Sequence, residues 1–339
     1  MRGLIVKTHA FGDALTASPA AAALVSSGGE WTALAGPSSA EVWRRLPGLR
    51  SVIEAPFPAT GVLGAARLVL WTAASARALG GFDMTVVMHA SPGVRRWIRL
   101  ATGAPSRSGG RSPLGAWEKV SPLDSPGFAA GLYARIAGAG VDSFRPVFAV
   151  LEREREAARG MIGEGRFLAV APGGGRNPRD TVPEKRWAPE RFADVIRRAS
   201  ARGLKAVLLG DSHDRASAGA VSRLAGAAVA ADLTGRTGWG EAAAVMQRCR
   251  AFVGPDSGLA HLACAAGLPA VVLFGPTDPD SLYAPGLIEA VRTDSPCSPC
   301  YSNSVFRGCR TGRGDCMFRI EPGRVWSTLE RILDEDERG

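Results

Sequence analysis

Lysine is scarce in this 339-residue chain: there are four (Lys7, Lys119, Lys185 and Lys205) against 37 arginines. Tyrosine occurs three times and histidine four times. No stretch reaches the roughly 18 consecutive apolar residues of a membrane-crossing helix. The most apolar segment, residues 62–76, carries Arg67 inside it. The opening Gly-Leu-Ile-Val run is cut by Lys7, His9 and Asp13, so it reads as a buried strand and not as a secretory leader. A cytoplasmic protein is expected. The dinucleotide fingerprint G-x-G-x-x-G does not follow the first strand, and no P-loop pattern, internal repeat or coiled-coil heptad occurs. These absences exclude an integral membrane helix bundle, an ordinary NAD-binding Rossmann half and a Walker ATPase.

What remains is 46% hydrophobic and 22% charged, enough for two buried cores of 150–170 residues. The net charge of +9 suits an anionic partner such as a phosphorylated lipid, a membrane surface or nucleic acid. Richness in Arg, Ala and Gly fits a genome's base composition equally well. Short apolar runs alternate with helical patterns throughout. Strands are expected at 3–7, 31–34, 51–53 and 85–88, with helices at 14–27, 39–45 and 61–79 and a turn at 9–13 between the first strand and helix. Residues 103–127, rich in Gly, Ser and Pro, read as a loop. The charged run 152–159 marks the crossing into the second half. There, strands at 167–171, 206–209, 251–253 and 270–274 alternate with helices at 189–202, 215–224, 241–249 and 259–266. This rhythm predicts an α/β chain with two doubly wound parallel sheets, and ligands at the carboxyl ends of their strands.

Three segments carry chemistry at those ends. Val253-Gly-Pro-Asp256-Ser257-Gly258-Leu-Ala-His261-Leu-Ala joins a strand to a helix start. The unsatisfied amides of Ser257, Gly258 and Leu259, with the helix dipole, form an anion mouth, and Gly258 allows close approach. Leu259, Leu262, Ala263 and Ala266 fall on one core-facing stripe, and His261 lies off it, within reach of the same ligand. The competing reading is a plain helix capped by Asp256 with His261 merely exposed. Phe274-Gly-Pro-Thr277-Asp278-Pro opens on the same sheet edge, and there Thr277 and Asp278 line the expected cleft. Pro172-Gly-Gly-Gly-Arg176, followed by Lys185-Arg-Trp187, offers a pliant backbone and cations for phosphate, or is a surface turn. In the first half, Gly12-Asp13 follows the first strand.

Taken together, these motifs resemble glycosyltransferase family 9, the bacterial lipopolysaccharide heptosyltransferases. The likeness spans nearly the whole chain and is most specific over 251–279. It implies a GT-B fold, with two Rossmann-like domains facing across a cleft: an acceptor domain 1–155, a nucleotide-sugar domain 156–320, and a C-terminal helix within 321–339 packing back on the first domain. It implies an inverting, metal-independent transfer of heptose, with ADP-heptose as donor, to a lipopolysaccharide core or another lipid-linked saccharide. By resemblance Asp13 is the general base. Lys185, Thr181, Asp256, Ser257, Gly258 and His261 contact the donor and its phosphates, and Asp211 or Asp214 holds the ribose. The spacing around the phosphate lysine departs from that of the best-known members, and residues 55–130 share little with them. The expected partners are a nucleotide sugar, a lipid-linked acceptor and the cytoplasmic face of the inner membrane, approached by the basic–aromatic run Arg95-Arg96-Trp97-Ile98-Arg99; no nucleic acid is expected. A non-catalytic nucleotide-sugar binder, a GT-B-like sugar epimerase and a zinc-containing nucleic-acid binder are the alternatives.

Cys297-x2-Cys300-x8-Cys309-x6-Cys316 closes the inventory. Four thiolates so spaced fit one structural Zn2+. An iron–sulfur cluster, free thiols and disulfides stay open, and no catalytic metal is expected.

Overall fold

The computed structural model describes residues 1–56, 61–79, 81–88, 98, 101–104, 106–108, 127–174, 181–302, 305–306 and 308–338. Arg95, Arg96, Trp97 and Arg99, the Gly175-Arg176 end of the glycine turn and most of the loop 103–127 lie outside the described residues. The chain divides into two compact units, Met1–Ala149 with Asp280–Ala284, and Val150–Pro279 with Pro285–Gly339.

The first unit holds β1 (Arg2–Val6), β2 (Glu30–Ala35), β3 (Ser51–Glu54), β4 (Met84–Val87) and β5 (Ser106–Ser108), with helices α1 (Phe11–Ser26), α2 (Ala40–Arg44), α3 (Gly61–Ala78) and α4 (Ala129–Ala137). Its sheet runs in the order β3-β2-β1-β4-β5 and every pair is parallel. Strand order reverses beside β1, so its carboxyl end is a switch point where a ligand crevice opens. β1 earns its central place by composition: Leu4, Ile5 and Val6 are fully buried. α1 tolerates Pro19 in its interior because the Ser18 hydroxyl donates to the Leu15 carbonyl at 2.6 Å, the acceptor that the missing Pro19 N–H leaves open.

The second unit comprises α5 (Glu152–Ile162), β6 (Phe167–Val170), α6 (Pro189–Ala201), β7 (Lys205–Leu208), α7 (Arg215–Ala225), β8 (Val229–Asp232), α8 (Trp239–Met246), β9 (Cys249–Pro255), α9 (Gly258–Ala265), β10 (Ala270–Phe274), α10 (Pro279–Leu282, shared with the first unit), β11 (Glu289–Arg292), the hairpin β12 (Tyr301–Ser302) and β13 (Val305–Phe306), α11 (Asp315–Phe318) and α12 (Pro322–Arg338). The main sheet is all parallel in the order β11-β10-β9-β6-β7-β8. Its switch point lies between β6 and β9.

Two expectations shift. The charged run at 152–159 is the body of α5, whose Glu154 turns inward to accept the Leu151 N–H at 2.8 Å, a helix cap that burial makes worth keeping. The unit boundary falls just before it. The segment 9–13 is not all turn, because α1 already begins at Phe11. The last helix buries Val325, Leu329, Ile332 and Leu333 in its own unit's core with Trp187, Phe192 and Ile196. Arg202 fastens its far end to Asp334 at 2.7 Å.

Candidate active site

Two charged constellations stand at the carboxyl ends of the central strands, one in each unit. In the second, β9 delivers Pro255-Asp256-Ser257 to the start of α9, and β6 delivers Pro172-Gly173-Gly174 beside it. The fit between these two turns is close: a Cβ on Gly174, whose φ is +107°, would lie 3.1 Å from the Pro255 ring. Asp256 is the centre. Its Oδ2 accepts from Lys185 Nζ at 2.7 Å and from the Thr277 hydroxyl at 2.9 Å, while His261 Nε2 lies 4.0 Å from Oδ1. Lys185 also reaches the Asp256 carbonyl at 3.4 Å. Burial alone would push the Asp256 carboxyl up. The charges of Lys185 and His261 and the bonds from Lys185 and Thr277 outweigh it, so the net direction is down and the group is ionised.

Ser257 is the N-cap of α9, yet its hydroxyl caps nothing: it is buried and has no hydrogen-bond partner among the described residues. A buried orphan hydroxyl costs free energy unless a ligand satisfies it. It stands at the helix mouth, where the first amides have no intrahelical acceptor. An anion placed there would meet the amides of 257–259, the Ser257 hydroxyl and the remaining N–H of Lys185, whose other two protons face Asp256. The reading of α9 as a helix capped by Asp256 is displaced, since Asp256 lies before the cap and spends its carboxylate on Lys185 and Thr277. His261 is buried against that carboxylate and is not a surface residue. On the expected stripe, Leu262 and Ala263 are buried, while Leu259 and Ala266 are half-buried.

Other expected residues fall differently. Asp214 is buried and uses both oxygens on backbone, accepting from Gly174 N–H at 3.1 Å and Asp211 N–H at 3.2 Å. A Cβ on Gly173 would strike its carboxyl at 2.0 Å, so this aspartate shapes the glycine turn. Asp211 is exposed and caps the short turn 212–214 through His213 N–H at 2.7 Å. Asp278 pairs with Arg292 at 3.4 Å. Thr181 is exposed, next to the residues outside the description.

In the first unit, β1 leads directly into Lys7, whose carbonyl accepts from the Ser39 hydroxyl at 3.0 Å and Trp43 Nε1 at 3.1 Å. The backbone then passes through Ala10 in the left-handed region (φ 51°), a strained conformation for a residue with a Cβ, and α1 starts. Asp13 therefore sits in the first helical turn, its side chain 54% exposed, with Lys7 Nζ 3.3 Å from Oδ2. The Lys7 ammonium also lies 5.2 Å from the centre of the Tyr133 ring. Burial is the largest effect on Lys7 and lowers its pKa. Asp13 and Tyr133 together reverse it, so the net direction is up and the ammonium stays charged. Burial pushes the Tyr133 phenol up. Neither Lys7 nor Tyr133 stands out as a site residue from sequence; the signal was a cation closing an otherwise apolar strand in a chain with four lysines.

Against this geometry, the family model for glycosyltransferase family 9 (heptosyltransferase) matches residues 131–307, more than half of the chain. The chain belongs to glycosyltransferase family 9. Among curated members, lipopolysaccharide heptosyltransferase 1 of Pseudomonas aeruginosa is 30% identical over 161 residues, covering 44% of each chain. Lipopolysaccharide heptosyltransferase 2 of Salmonella typhimurium is 28% identical over 158 residues, 45% of this chain and 44% of its own length. The matched stretch thus spans less than half of these relatives. Solved family 9 structures extend the likeness in fold to the whole chain. One from Veillonella parvula superposes with a TM-score of 0.74 at 22% identity, covering 98% of this chain and 97% of that one. The ADP-heptose lipopolysaccharide heptosyltransferase II of Escherichia coli gives 0.70 at 19% identity, over 99% and 100%. The two parallel sheets are those of the GT-B class. Among the described residues, no helix is long and apolar enough to cross a membrane.

Proposed function

We propose that this family 9 protein is an inverting glycosyltransferase that moves a heptose from a nucleoside diphosphate, ADP in the first instance, onto a lipid-linked saccharide of the lipopolysaccharide-core type. The observation that carries the reading is the orphan Ser257 hydroxyl at the amide mouth of α9, beside an ionised Asp256 held by Lys185 and Thr277. That arrangement has the donors a departing diphosphate needs, fixed before any charge develops. Asp256, neutralised by its neighbours, sets the position of Lys185 and leaves it a proton to donate.

Asp13 supplies the other half. Its exposed carboxylate accepts the acceptor hydroxyl's proton as that oxygen attacks the anomeric carbon, while the bond to the diphosphate breaks on the opposite face. One displacement inverts the centre. Lys7, packed on the Tyr133 ring, orients the carboxylate without covering it. Thr181 and Asp278 complete the donor contacts in this reading, with Asp211 nearest to a ribose role because it is exposed. The net charge of +9 supports a peripheral approach to the anionic cytoplasmic face of the inner membrane, where such an acceptor resides.

A thermal-shift series with ADP-, GDP- and UDP-sugars tests the donor class. Selective stabilisation by the ADP compounds is expected. Stabilisation by none of them removes the reading, and full turnover by Asp13→Ala removes the assigned base.

A further inference from the structure

Cys297, Cys300, Cys309 and Cys316 are free thiols, and among the described residues no three metal-ligating side chains are gathered round one position. The feature that the fold leaves unexplained lies in the first unit, on α3. This helix crosses from β3 to β4 and needs to bury only one face. Leu68 is buried in the core with Leu4, Val6, Leu34 and Val87, and Trp71 packs half-buried against the same cluster. Thr72, one turn on, is buried as well, its hydroxyl donating to the Leu68 carbonyl at 2.6 Å. On the outer side stand Leu63 and Leu70, 81% and 72% exposed, with Ala66 and Ala74 also exposed. A single leucine in water is ordinary. A row of apolar residues on the outside of a helix whose other face already fills the core marks a contact surface.

The row is regular. At about 100° per residue, Leu70 and Ala74 lie within about 20° of Leu63 around the helix axis, and Leu68 and Thr72 lie roughly opposite. Arg67 and Arg77 fall about 40° to either side of that crest, and both are exposed. No Asp or Glu occurs anywhere in Gly61–Ala78. The outer face is thus an apolar ridge of about 16 Å from Leu63 to Ala74, with a cation on each shoulder and no acid in the helix. The direction of the helix places this ridge. β3 ends at the carboxyl edge of the sheet, and β4 starts at the amino edge, where Arg2 Nη1 donates to the Leu79 carbonyl at 3.3 Å. α3 therefore begins at the carboxyl edge, and Leu63 stands at the same edge of this unit as Lys7 and Asp13.

We propose that the Leu63–Leu70–Ala74 ridge of α3 lies in the headgroup layer of an anionic bilayer and docks the first unit there. The leucines enter the acyl boundary while Arg67 and Arg77 stay at phosphate depth, which is how a helix lying in the membrane plane divides its side chains. A second copy of this chain fits the face less well. In a two-fold pairing each patch meets itself, so arginines would face arginines across an apolar seam with no carboxylate from either helix. An anionic headgroup layer supplies the opposite charge all along the ridge. This docking face makes the peripheral approach proposed above specific, and it rests on that approach and not on the donor constellation. Docked in this way, the edge that carries Asp13 stays beside the surface from which a lipid-linked saccharide projects.

Co-sedimentation of the full chain with vesicles is the test. Wild type should bind vesicles of phosphatidylglycerol and phosphatidylcholine in equal parts, release them as salt rises, and bind phosphatidylcholine alone only weakly. Leu63→Ser/Leu70→Ser should weaken the binding at least about tenfold, since two leucines no longer leave water. Arg67→Gln/Arg77→Gln should weaken it about tenfold and flatten its salt dependence. All four side chains are exposed, so both double variants should melt with the wild type. Leu224→Ser, at an exposed leucine on α7 of the second unit, should change nothing. Absence of wild-type binding to the mixed vesicles overturns the docking face, as does unchanged binding in either double variant. A wild type that is dimeric by sedimentation velocity, monomeric as Leu63→Ser/Leu70→Ser and unaltered in vesicle binding overturns it in favour of a second copy. ADP should stabilise wild type and both double variants equally. Stabilisation of none of them while the vesicle results hold sinks the donor reading and leaves the docking face standing; stabilisation of all of them with no vesicle binding does the opposite.

Discussion

Each unit of this chain sets a Lys–Asp pair at the carboxyl end of its central strands, and the two pairs are built in opposite ways. In the first, the cation is buried and the carboxylate exposed, with side-chain exposures of 5% for Lys7 and 54% for Asp13. In the second, the carboxylate is the more buried member, at 7% for Asp256 against 17% for Lys185. The contrast separates two roles for one residue type. A carboxylate that keeps an open side can take a proton from a substrate. A carboxylate ringed by Lys185, Thr277 and His261 has no such opening, and in the proposed reading it fixes the cation that meets the ligand.

That contrast can be broken in several places. The largest effect is expected for Asp13→Ala: turnover should fall about 100- to 10,000-fold, the range for losing a positioned base, with melting temperature and ADP affinity near wild type by calorimetry. Asp256→Ala should do the reverse. Removing one partner of a buried pair leaves Lys185 uncompensated, so chemical denaturation should show a loss of about 3–5 kcal/mol, with donor binding lost alongside. Tyr133→Phe removes one hydroxyl beside Lys7 and should cost about 0.5–1.5 kcal/mol, with a few-fold drop in kcat and no change in donor KM.

The smallest effect is in pH dependence. Because the folded state holds the Asp256 carboxyl below its ordinary value, its contribution to stability is fully present above the unfolded carboxylate value of about 4 and is lost as pH falls through the lowered folded value. Urea midpoints measured from pH 6 downward should therefore show an Asp256-dependent decline only below about pH 4. A decline already complete at pH 5 would mean that the clamp does not hold the charge.

Much of this architecture was legible in the residues. Apolar runs such as Leu4–Val6 and Val271–Phe274 announce parallel strands, since a sheet covered on both faces needs no alternation. The Asp-Ser-Gly helix start and the Phe-Gly-Pro-Thr turn were placed on one sheet edge by strand order alone. What pairs across distance was not legible. Nothing local joins Lys185 to Asp256, 71 residues away, or Lys7 to Tyr133. The helical setting of Asp13 depends on Ala10 entering a conformation that its side chain disfavours, which tertiary packing imposes and propensity does not predict. The resemblance points to Asp214, or Asp211, for the ribose. The structure instead spends Asp214 on the glycine turn, a role visible only once Gly173 is seen against it.

Calorimetric titration of ADP into wild type and Asp13→Ala, paired with turnover on a lipid-linked saccharide, is the most direct trial of the division of labour between the two carboxylates. Equal dissociation constants with turnover lost only in the variant are the predicted result. Absence of ADP binding to wild type, or undiminished turnover in Asp13→Ala, would contradict it.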